Sequence, residues 1–482
     1  MRLLNEIAKK LKITIYVASV DLEKAFDKVR RYRLLCKLVA KGIGFVMLEA
    51  LKNIYLYTAC TIHFYGCFSE TFTTKSGIRQ GSASSVLLFI LFMDGLFPYL
   101  RQCCTSEELI KDFHALVHAD DTLIISTSRE KFIVKCNGML WYFNENSLKL
   151  NFDKSSYFIL NPKPADQKTS LQLDGGMLKY KSVQDYLGVY VTDCGILKHD
   201  VTKFIREKRS NVLIKFTNFC NKNFLAPLGI KLDVLDSCVA SSLLYASETC
   251  MDCGKEAEVI YRNGLRAALG IRSNINNEIV YIESGRYPLK CRILKLQLKF
   301  WLSLQTYCDE SPDSALKHFL DVAKRIELPY VKWYMSLEEK YGSPNNCQKM
   351  LEAEYAAKWR TTFDNNDDND SRLGTYLQVN PTLSSPEYLK AVMFETDRLI
   401  LTRFRCGSHS LAIEKGRYSN TPREERLCSC GEVQTIFHCF TSCPDTQHLL
   451  NGKVFTSLHD VFQDENICLL TSSNLVLCLN NG

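Results

Sequence analysis

Two adjacent acidic residues, Asp120 and Asp121, lie between two short apolar runs at residues 116–117 and 123–125. The pattern favours two strands joined by a tight hairpin, with both carboxylates at its tip. A hairpin tip is a rigid position from which a carboxylate can hold a metal ion, and adjacent carboxylates repel each other unless a cation neutralises them. The alternative is a solvated Asp-Asp turn without a ligand. The pair alone does not choose between a metal site and an ordinary turn.

Asp21 is a second residue that could bind a metal ion. It follows residues 13–20, a run rich in β-branched side chains that predicts a buried strand. An acid at the end of a central strand is a usual position for a metal ligand, and a helix N-cap is the alternative. Residues 31–41 then have the spacing of a short amphipathic helix that ends at Gly42.

A third motif is the loop at residues 77–85, with the sequence Gly-Ile-Arg-Gln-Gly-Ser-Ala-Ser-Ser. Its two glycines allow the backbone to approach a ligand closely, although a plain loop is the alternative. The apolar run that follows, residues 86–93, is closed by Asp94. A membrane helix needs about 20 residues, so we predict a buried core helix here.

Four possible zinc ligands lie close together near the end of the chain. Cys428, Cys430, His438 and Cys443 fall within sixteen positions and could hold Zn²⁺ tetrahedrally. The Cys-x-Cys spacing is tighter than the usual Cys-x2-Cys. A chance cluster is the alternative, because the chain contains 21 cysteines.

The composition is that of an ordinary globular protein, with 46% apolar and 23% charged residues over 482 positions. This length is too great for one core, so we expect two to four domains. The net charge of +7 permits a nucleic-acid partner without requiring one. The cysteines are mostly scattered through apolar segments and no apolar signal core is evident, which favours a soluble protein in a reducing intracellular compartment.

The remaining elements follow from periodicity and turn residues. We predict a hairpin around Gly66, a helix from a capping box at residues 127–130 to about Phe143, and strands at residues 148–155 and 186–191. From about residue 200 the pattern is mainly helical, and the polar run 364–370 predicts a loop or linker.

The order of these motifs resembles the palm of a reverse transcriptase, specifically that of a non-LTR (LINE-type) retrotransposon. Residues 21–27, Asp-Leu-Glu-Lys-Ala-Phe-Asp, resemble the Asp-x-x-Lys-Ala-Phe-Asp box of that family. Residues 77–89 resemble its Gly-x-x-Gln-Gly box, and residues 118–121 its Phe/Tyr-Ala-Asp-Asp box. The Leu-x-Leu-Asn-x-x-Lys motif at 148–154 and Tyr-Leu-Gly-Val at 186–189 follow in the same order.

The resemblance continues beyond the palm and covers nearly the whole chain. Residues 243–249, Leu-Leu-Tyr-Ala-Ser-Glu-Thr, resemble a segment of the LINE thumb region. Residues 403–409 and 426–444 resemble its C-terminal zinc-knuckle segment, which strengthens the prediction of zinc.

The resemblance implies an α+β fold in which a right-hand polymerase palm, an antiparallel sheet with packed helices, precedes a mainly α-helical thumb and C-terminal region ending in a small zinc-knuckle-like segment. The implied domains are a palm with partial fingers at 1–192, a thumb-like helical region at 193–300 and a helical C-terminal region at 301–420. A zinc-knuckle-like segment at 421–450 and a tail at 451–482 follow.

The activity implied is RNA-directed DNA polymerisation by two Mg²⁺ ions, with an RNA template, a DNA primer and dNTPs as partners and no membrane. Asp21 and Asp120 are then the bridging ligands, and Asp121 is an auxiliary one. Phe26 is the side chain that excludes a ribose 2′-hydroxyl, although simple core packing would also explain it.

By the same resemblance, Gln80 and Gly81 line the nucleotide and template. Lys154 is the basic residue that protonates the leaving pyrophosphate, with a solvated surface lysine as the alternative. Basic residues of the thumb would grip duplex phosphates, namely Lys203, Arg206, Lys208 and Arg209.

Four features depart from the family pattern. His118 replaces an aromatic residue, Ser85-Val86 stands where Ser-Pro is usual, and the knuckle has the short Cys-x-Cys. The chain also begins only twenty residues before Asp21, so we expect most of the fingers segment to be missing, as in a truncated copy. A catalytically silent nucleic-acid-binding protein is therefore the alternative function, while a purely structural zinc protein would leave the palm motifs unexplained.

Overall fold

The structure is a computed structural model that describes residues 1–56, 58–103, 114–118, 120–192, 210–249, 254–369, 371–389, 394–450 and 452–464. It divides into two compact units. Unit 1 is Met1–Asp200 with Thr306–Lys332, and unit 2 is Val201–Gln305 with Trp333–Gly482. The predicted phosphate-gripping residues of the thumb lie outside the described residues: Lys203, Arg206, Lys208 and Arg209. The five predicted domain ranges remain predictions.

The described strands are short except in one sheet of unit 1. Their bounds are β1 (Ile15–Val20), β2 (Ala59–Cys60), β3 (His63–Phe64), β4 (Cys67–Phe68), β5 (Phe72–Thr73), β6 (Ala115–His118), β7 (Asp121–Ser126), β8 (Ser156–Leu160), β9 (Leu171–Leu173), β10 (Gly176–Tyr180), β11 (Val183–Tyr186) and β12 (Val189–Thr192).

The described helices are α1 (Arg2–Leu11), α2 (Ala25–Lys28), α3 (Arg31–Ala40), α4 (Phe45–Leu56), α5 (Ser85–Met93), α6 (Leu96–Cys103), α7 (Arg129–Glu145), α8 (Ser210–Lys222), α9 (Leu228–Val234), α10 (Ser241–Leu244), α11 (Gly254–Leu269), α12 (Asn277–Ser284), α13 (Leu289–Glu310), α14 (Ala315–Arg325), α15 (Pro329–Tyr341), α16 (Pro344–Asp364), α17 (Arg372–Val379), α18 (Glu395–Arg405), α19 (Ala412–Tyr418), α20 (Ile436–Thr441), α21 (Pro444–Gln447) and α22 (Leu458–Gln463). A π-helical segment, Leu235–Ala240, joins α9 to α10.

The main sheet of unit 1 has the strand order β6-β7-β1-β8-β10-β9. Its pairs are antiparallel except β8 with β10, which run parallel. The central strand β1 is buried along nearly all its length. Alternate residues of β1, such as Tyr16 and Ala18, join the core formed with α3, α5, α6 and α7, because successive side chains of a strand point to opposite faces. A mainly antiparallel sheet with packed helices agrees with the predicted α+β character.

The apolar stretch Ser85–Cys103 comprises α5 and α6, with a break at residues 94–95. Its length and mean hydropathy of 1.4 would suffice for one membrane span, but core helices of soluble proteins meet the same criterion. Leu88, Phe89 and Phe92 lie in the core, whereas Val86 and Leu87 are exposed. The predicted core helix is therefore only partly buried.

Two predicted strands have different boundaries. In the segment predicted as a strand at 148–155, Leu150 makes only an isolated bridge with Leu22, and the true strand β8 begins at Ser156. The reason is local, since the Asn151 side chain accepts hydrogen bonds from the amides of the next turn and bends the chain. The strand predicted at 186–191 is instead the β11–β12 hairpin, which turns at Leu187 and Gly188 with positive φ. The hairpin predicted around Gly66 is present as β3 and β4, inside the β2–β5 pair.

Unit 2 is helical around a core that runs from α8 to α18. Two of its buried glutamates are paired with buried cations. Glu283 accepts a hydrogen bond from Arg405 at 2.9 Å and another from the Tyr376 hydroxyl at 2.7 Å. Lys231 lies 2.8 Å from Glu395, and both are buried. Losing one partner of such a pair would leave an uncompensated buried charge, so these contacts fix α9, α12, α17 and α18 against one another.

Candidate active site and metal centre

The three predicted palm acids lie at one end of the main sheet. Strands β1 and β7 pair antiparallel, and Val20 lies opposite Thr122 at the end of the ladder. Asp21 directly follows β1 and Asp121 begins β7, so their backbones are adjacent at the same end of the paired strands. Asp120 stands in the turn between β6 and β7, where His118 pairs with Asp121. The structure therefore brings Asp21, Asp120 and Asp121 together.

The carboxylates form a concentration of negative charge. Partial burial raises the pKa of Asp121, and the negative charges of Asp120, Asp21 and Asp185 raise it further, while His118 acts in the opposite direction. Three of the four charged neighbours named here are carboxylates. Neighbouring carboxylates disfavour each other's ionised form unless a cation is present, so the donor set suits a divalent cation such as Mg²⁺.

The turn that carries Lys154 is fixed to the backbone of Asp21. The Asn151 amide donates to the Asp21 carbonyl at 2.9 Å, and the Asp21 amide donates to the Ser155 hydroxyl at 3.0 Å. Lys154 is exposed, and its described contact is made by its backbone amide rather than by its ammonium. The anchored turn holds this side chain close to the end of β1, free to extend into solvent.

Phe26 packs against the first apolar helix. Its ring stacks on Phe89 of α5 with centroids 4.9 Å apart and planes at 27°. Phe26 is half-exposed, so part of its ring remains accessible to solvent. The position of the ring is therefore set by its packing on α5.

The glycine loop is bonded through its backbone to the segment that follows Asp21. The Gly77 amide donates to the Val29 carbonyl at 2.8 Å, and the Ile78 amide donates to the Phe26 carbonyl at 3.0 Å. The Arg31 guanidinium donates to the Gly77 carbonyl at 2.8 Å. These hydrogen bonds fix the position of the loop relative to the segment that carries Phe26.

At the exposed end of this loop, the Gln80 amide group donates to the Asp27 carboxylate at 3.3 Å. Gly81 is exposed and has a φ of +82°, with open space where a side chain would lie. Both predicted ligand-lining residues are thus accessible beside the Asp21 segment.

Sequence reasoning missed a contribution from the β11–β12 hairpin. The buried Gln184 donates to the Ser19 hydroxyl at 3.2 Å and accepts a hydrogen bond from Ser156, which ties β11 to β1 and β8. This link brings Asp185 close enough to raise the pKa of Asp121. Burial and then the charge of Asp121 raise the pKa of Tyr186 to about 12. The Tyr-Leu-Gly-Val motif was recognised, but nothing in the sequence placed it beside the acids.

The second site is the Cys/His cluster of unit 2. The ligand atoms of Cys428, Cys430, His438 and Cys443 all lie within 4.8 Å of one another. The sulfurs of Cys428 and Cys443 are 3.7 Å apart, and Cys430 Sγ lies 3.1 Å from His438 Nε2. Tetrahedral zinc with bonds of about 2.3 Å to sulfur would hold two sulfurs about 3.8 Å apart. The short Cys-x-Cys spacing does not prevent convergence of the four ligands.

Two local structures position this cluster. Residues 428–432 form a tight turn in which the Cys428 amide donates to the Glu432 carbonyl at 2.7 Å and Gly431 has a φ of +92°. The helix α20 begins with Thr435 as its N-cap and presents His438, whose Nδ1 is 3.3 Å from the Ser442 hydroxyl. A partner on the second imidazole nitrogen fixes the ring for metal binding.

The thiols of the cluster differ in acidity. Burial opposes ionisation of Cys428, but hydrogen bonds from the Cys430 amide, Ser429 and His438 outweigh it and lower the pKa of Cys428 to about 6. Burial raises the pKa of Cys443 to about 11. One thiolate at neutral pH is already favoured, and thiolates are the form that binds zinc.

Comparison with known proteins gives a family match for the first part of the chain. Residues 1–191 match the family described as reverse transcriptase (RNA-dependent DNA polymerase). A retrovirus-related Pol polyprotein from type-2 retrotransposable element R2DM of Drosophila melanogaster is 27% identical over 188 residues, covering 37% of this chain and 18% of that protein. The corresponding polyprotein from type-1 retrotransposable element R2 of Nasonia vitripennis is 24% identical, covering 35% and 16%. The match thus spans less than a fifth of the length of these relatives.

Among solved structures, telomerase from Candida albicans in complex with a TWJ fragment of telomeric RNA is similar over 71% of this chain and 51% of that chain. The identity is 10% and the TM-score is 0.32, a similarity too low to support a structural argument.

Proposed function

We propose that this chain, whose residues 1–191 are a reverse transcriptase domain related to those of non-LTR retrotransposons, is an RNA-directed DNA polymerase that extends a DNA primer on an RNA template with dNTPs. The observation that carries the proposal is the group of three acids at the adjoining ends of β1 and β7. Burial, and then the negative charges of Asp120 and Asp21, raise the pKa of Asp121, as expected of carboxylates that face one another without a bound cation.

In this proposal Asp21 and Asp120 hold two Mg²⁺ ions, and Asp121 is an auxiliary ligand. When bound, these ions would supply the charge that offsets the attacking primer 3′-oxygen and the departing pyrophosphate. The protein's contribution is position, because strand-end and hairpin-tip backbones are rigid. The hydrogen bonds that the Asp21 main chain makes with Asn151 and Ser155 fix the backbone that carries its carboxylate.

Phe26 would then select deoxynucleotides, since its half-exposed ring is fixed on Phe89 and cannot retreat from a ribose 2′-hydroxyl. The loop bearing Gln80 and Gly81 would line the nucleotide and template, because it is bonded to the same segment as Phe26. Lys154 would donate a proton to the pyrophosphate, and its exposed ammonium has the freedom this requires. An intracellular location, either cytoplasm or nucleus, would follow from these substrates.

The experiment is Mg²⁺-dependent primer extension by Asp120→Asn protein. Loss of one bridging carboxylate should cost about 4 kcal/mol of transition-state stabilisation, or about 10³-fold in rate. The matched control is Asp153→Asn, because Asp153 is exposed and its described ion pair is with Lys179 on the surface. Extension at the parental rate by Asp120→Asn protein, or equal losses in both variants, would remove the assignment.

We also propose one Zn²⁺ bound by Cys428, Cys430, His438 and Cys443. The support is the convergence of four soft ligands at spacings that fit a tetrahedron. Such an ion would crosslink the 428–432 turn to α20 and stabilise the end of unit 2. Metal analysis of the purified full chain tests this, and a folded chain without stoichiometric zinc would contradict it.

A further inference from the structure

A cavity of about 560 Å³ lies within unit 2, away from the Cys/His cluster. It is enclosed by side chains of α11, α12, α13, α15 and α16. Cavities of about 300–1,000 Å³ are typical of sites for small organic ligands, so there is room for one nucleotide.

Aromatic rings form one wall of the cavity. Trp359 is buried and nearly parallel to Tyr281, with planes at 11° and centroids 6.2 Å apart. Tyr355 and Trp333 also line the cavity and are only half-buried. The Trp333 ring nitrogen donates to the Gln297 side chain at 3.2 Å, which fixes the orientation of the indole. A fixed, partly exposed indole is a platform on which a planar base can stack.

Four cationic side chains also line the same cavity. Lys255, Lys290 and Lys358 are exposed, and none has an ion-pair partner within the part of the chain that the structure describes. Arg262 is half-buried and its side chain interacts with the Tyr281 hydroxyl, but its Nε atom is buried without a hydrogen-bond partner among the described residues. An unpaired buried donor beside three free ammonium groups indicates an anionic ligand.

Two acids also line the cavity, and one of them is already engaged. Glu258 accepts hydrogen bonds from the backbone amides of Leu289 and Lys290 at 3.0 and 3.1 Å, and from the Tyr281 hydroxyl. It therefore serves as a cap for α13. Glu278 is the second acid, and it is partly exposed. Four cations against two carboxylates leave an excess of positive charge.

From the aromatic wall and the free cations, we infer that this cavity binds one unpaired nucleotide of a single-stranded nucleic acid. The base would stack on Trp333, and the flanking phosphates would contact Lys290 and Lys358. Base stacking accepts any base, so the site would have little sequence preference. The inference rests on the proposed function, because a polymerase has single-stranded template to accommodate.

The test uses the full-length protein and a fluorescein-labelled oligouridine RNA, which does not pair with itself. Affinity is measured by anisotropy over a range of salt concentrations. Replacing both lysines in Lys290→Gln/Lys358→Gln should lower the slope of log affinity against log salt by about 1.4, at about 0.7 per phosphate contact. Trp333→Ala should weaken binding about tenfold, and Trp333→Phe should restore most of that loss.

The matched control is Lys299→Gln/Lys349→Gln, which removes two exposed lysines from the same helices, α13 and α16, outside the cavity lining. It should leave the salt slope unchanged. An oligouridine carrying one 4-thiouridine should crosslink to peptides from 329–341 or 344–364. The inference is overturned by no RNA binding at low salt, by equal effects of the two lysine pairs, or by crosslinks confined to other peptides.

Primer extension by the parental protein, run in parallel, separates this inference from the proposed function. If the parental protein does not extend primers but the cavity variants lose RNA binding, the nucleotide site is supported and the polymerase proposal is refuted. If the parental protein extends primers and the cavity variants bind RNA normally, the polymerase proposal is supported and the nucleotide site is refuted.

Discussion

Replacing Gly77 by alanine should separate the glycine loop from the segment that follows Asp21. Gly77 has a φ of +88°, a conformation that is costly for any residue with a side chain. A Cβ atom at this position would lie 3.0 Å from the Asp27 carbonyl oxygen and 3.1 Å from the Asp27 Cα. Both are backbone atoms, so no rotamer change can relieve the contact.

The magnitude follows from two contributions. The left-handed conformation costs about 1 to 2 kcal/mol for a residue with a side chain. Moving the loop away from Asp27 also weakens two hydrogen bonds, from Gly77 to Val29 and from Ile78 to Phe26, each contributing about 1 kcal/mol. The total is about 3 to 4 kcal/mol. Gly81→Ala is the matched control, because Gly81 has a similar φ of +82° but nothing within 4 Å of its Cβ position.

Hydrogen–deuterium exchange of the full-length protein measures the effect where it occurs. In Gly77→Ala, peptides that contain the amide of Ile78 should exchange faster by on the order of tenfold or more, since 1.4 kcal/mol of opening free energy is a factor of ten. In Gly81→Ala, which has the backbone cost but no contact with Asp27, those peptides should exchange more slowly than in Gly77→Ala. Equal exchange in the two variants would show that the contact with Asp27 contributes nothing and that only the backbone conformation matters.

Three further predictions concern other residues. Cys428→Ser should lose bound zinc and lower the thermal stability of the protein, whereas Cys238→Ser, at an exposed cysteine, should do neither; metal analysis and calorimetry measure both. Burial and nearby arginines lower the pKa of His409 to about 3. The unfolded chain therefore takes up a proton first, and stability should fall as pH decreases from about 6.5 towards 3, by up to about 1.4 kcal/mol per unit. Urea titrations should show a shallower decline in His409→Gln but not in His318→Gln, at an exposed histidine. Phe26→Ala should admit ribonucleotides in primer extension, and unchanged discrimination against them would assign Phe26 to packing on Phe89 alone.

The hairpin that carries Asp120 and Asp121 was predictable because its signal is local. Two apolar runs separated by a polar pair specify strands and a turn, and the structure places Asp120 and Asp121 at that turn. The Cys/His cluster is similar, since four soft ligands within sixteen positions need only one tight turn and one helix to meet. In both cases short-range geometry decides where the side chains lie.

Other features depend on contacts that a sequence does not display. Asp185 joins the acids because Gln184 reaches Ser19, a residue far away along the chain. The turn at Leu187 was missed because leucine rarely adopts a positive φ, so the Tyr-Leu-Gly-Val run looks like one strand. The cavity of unit 2 was also not foreseen, because its lysines and aromatic residues come from five separate helices.

The bonds between the glycine loop and the segment at 26–29 are made by main-chain atoms at both ends. Most substitutions change only the side chain and do not remove a main-chain hydrogen bond. The position of the loop should therefore tolerate many substitutions. Gly77 is an exception, because any other residue adds a Cβ, and Arg31 is another, because its side chain holds the Gly77 carbonyl. Among related sequences, substitutions at these two positions should mark those whose loop has been lost, even where every acidic residue is retained.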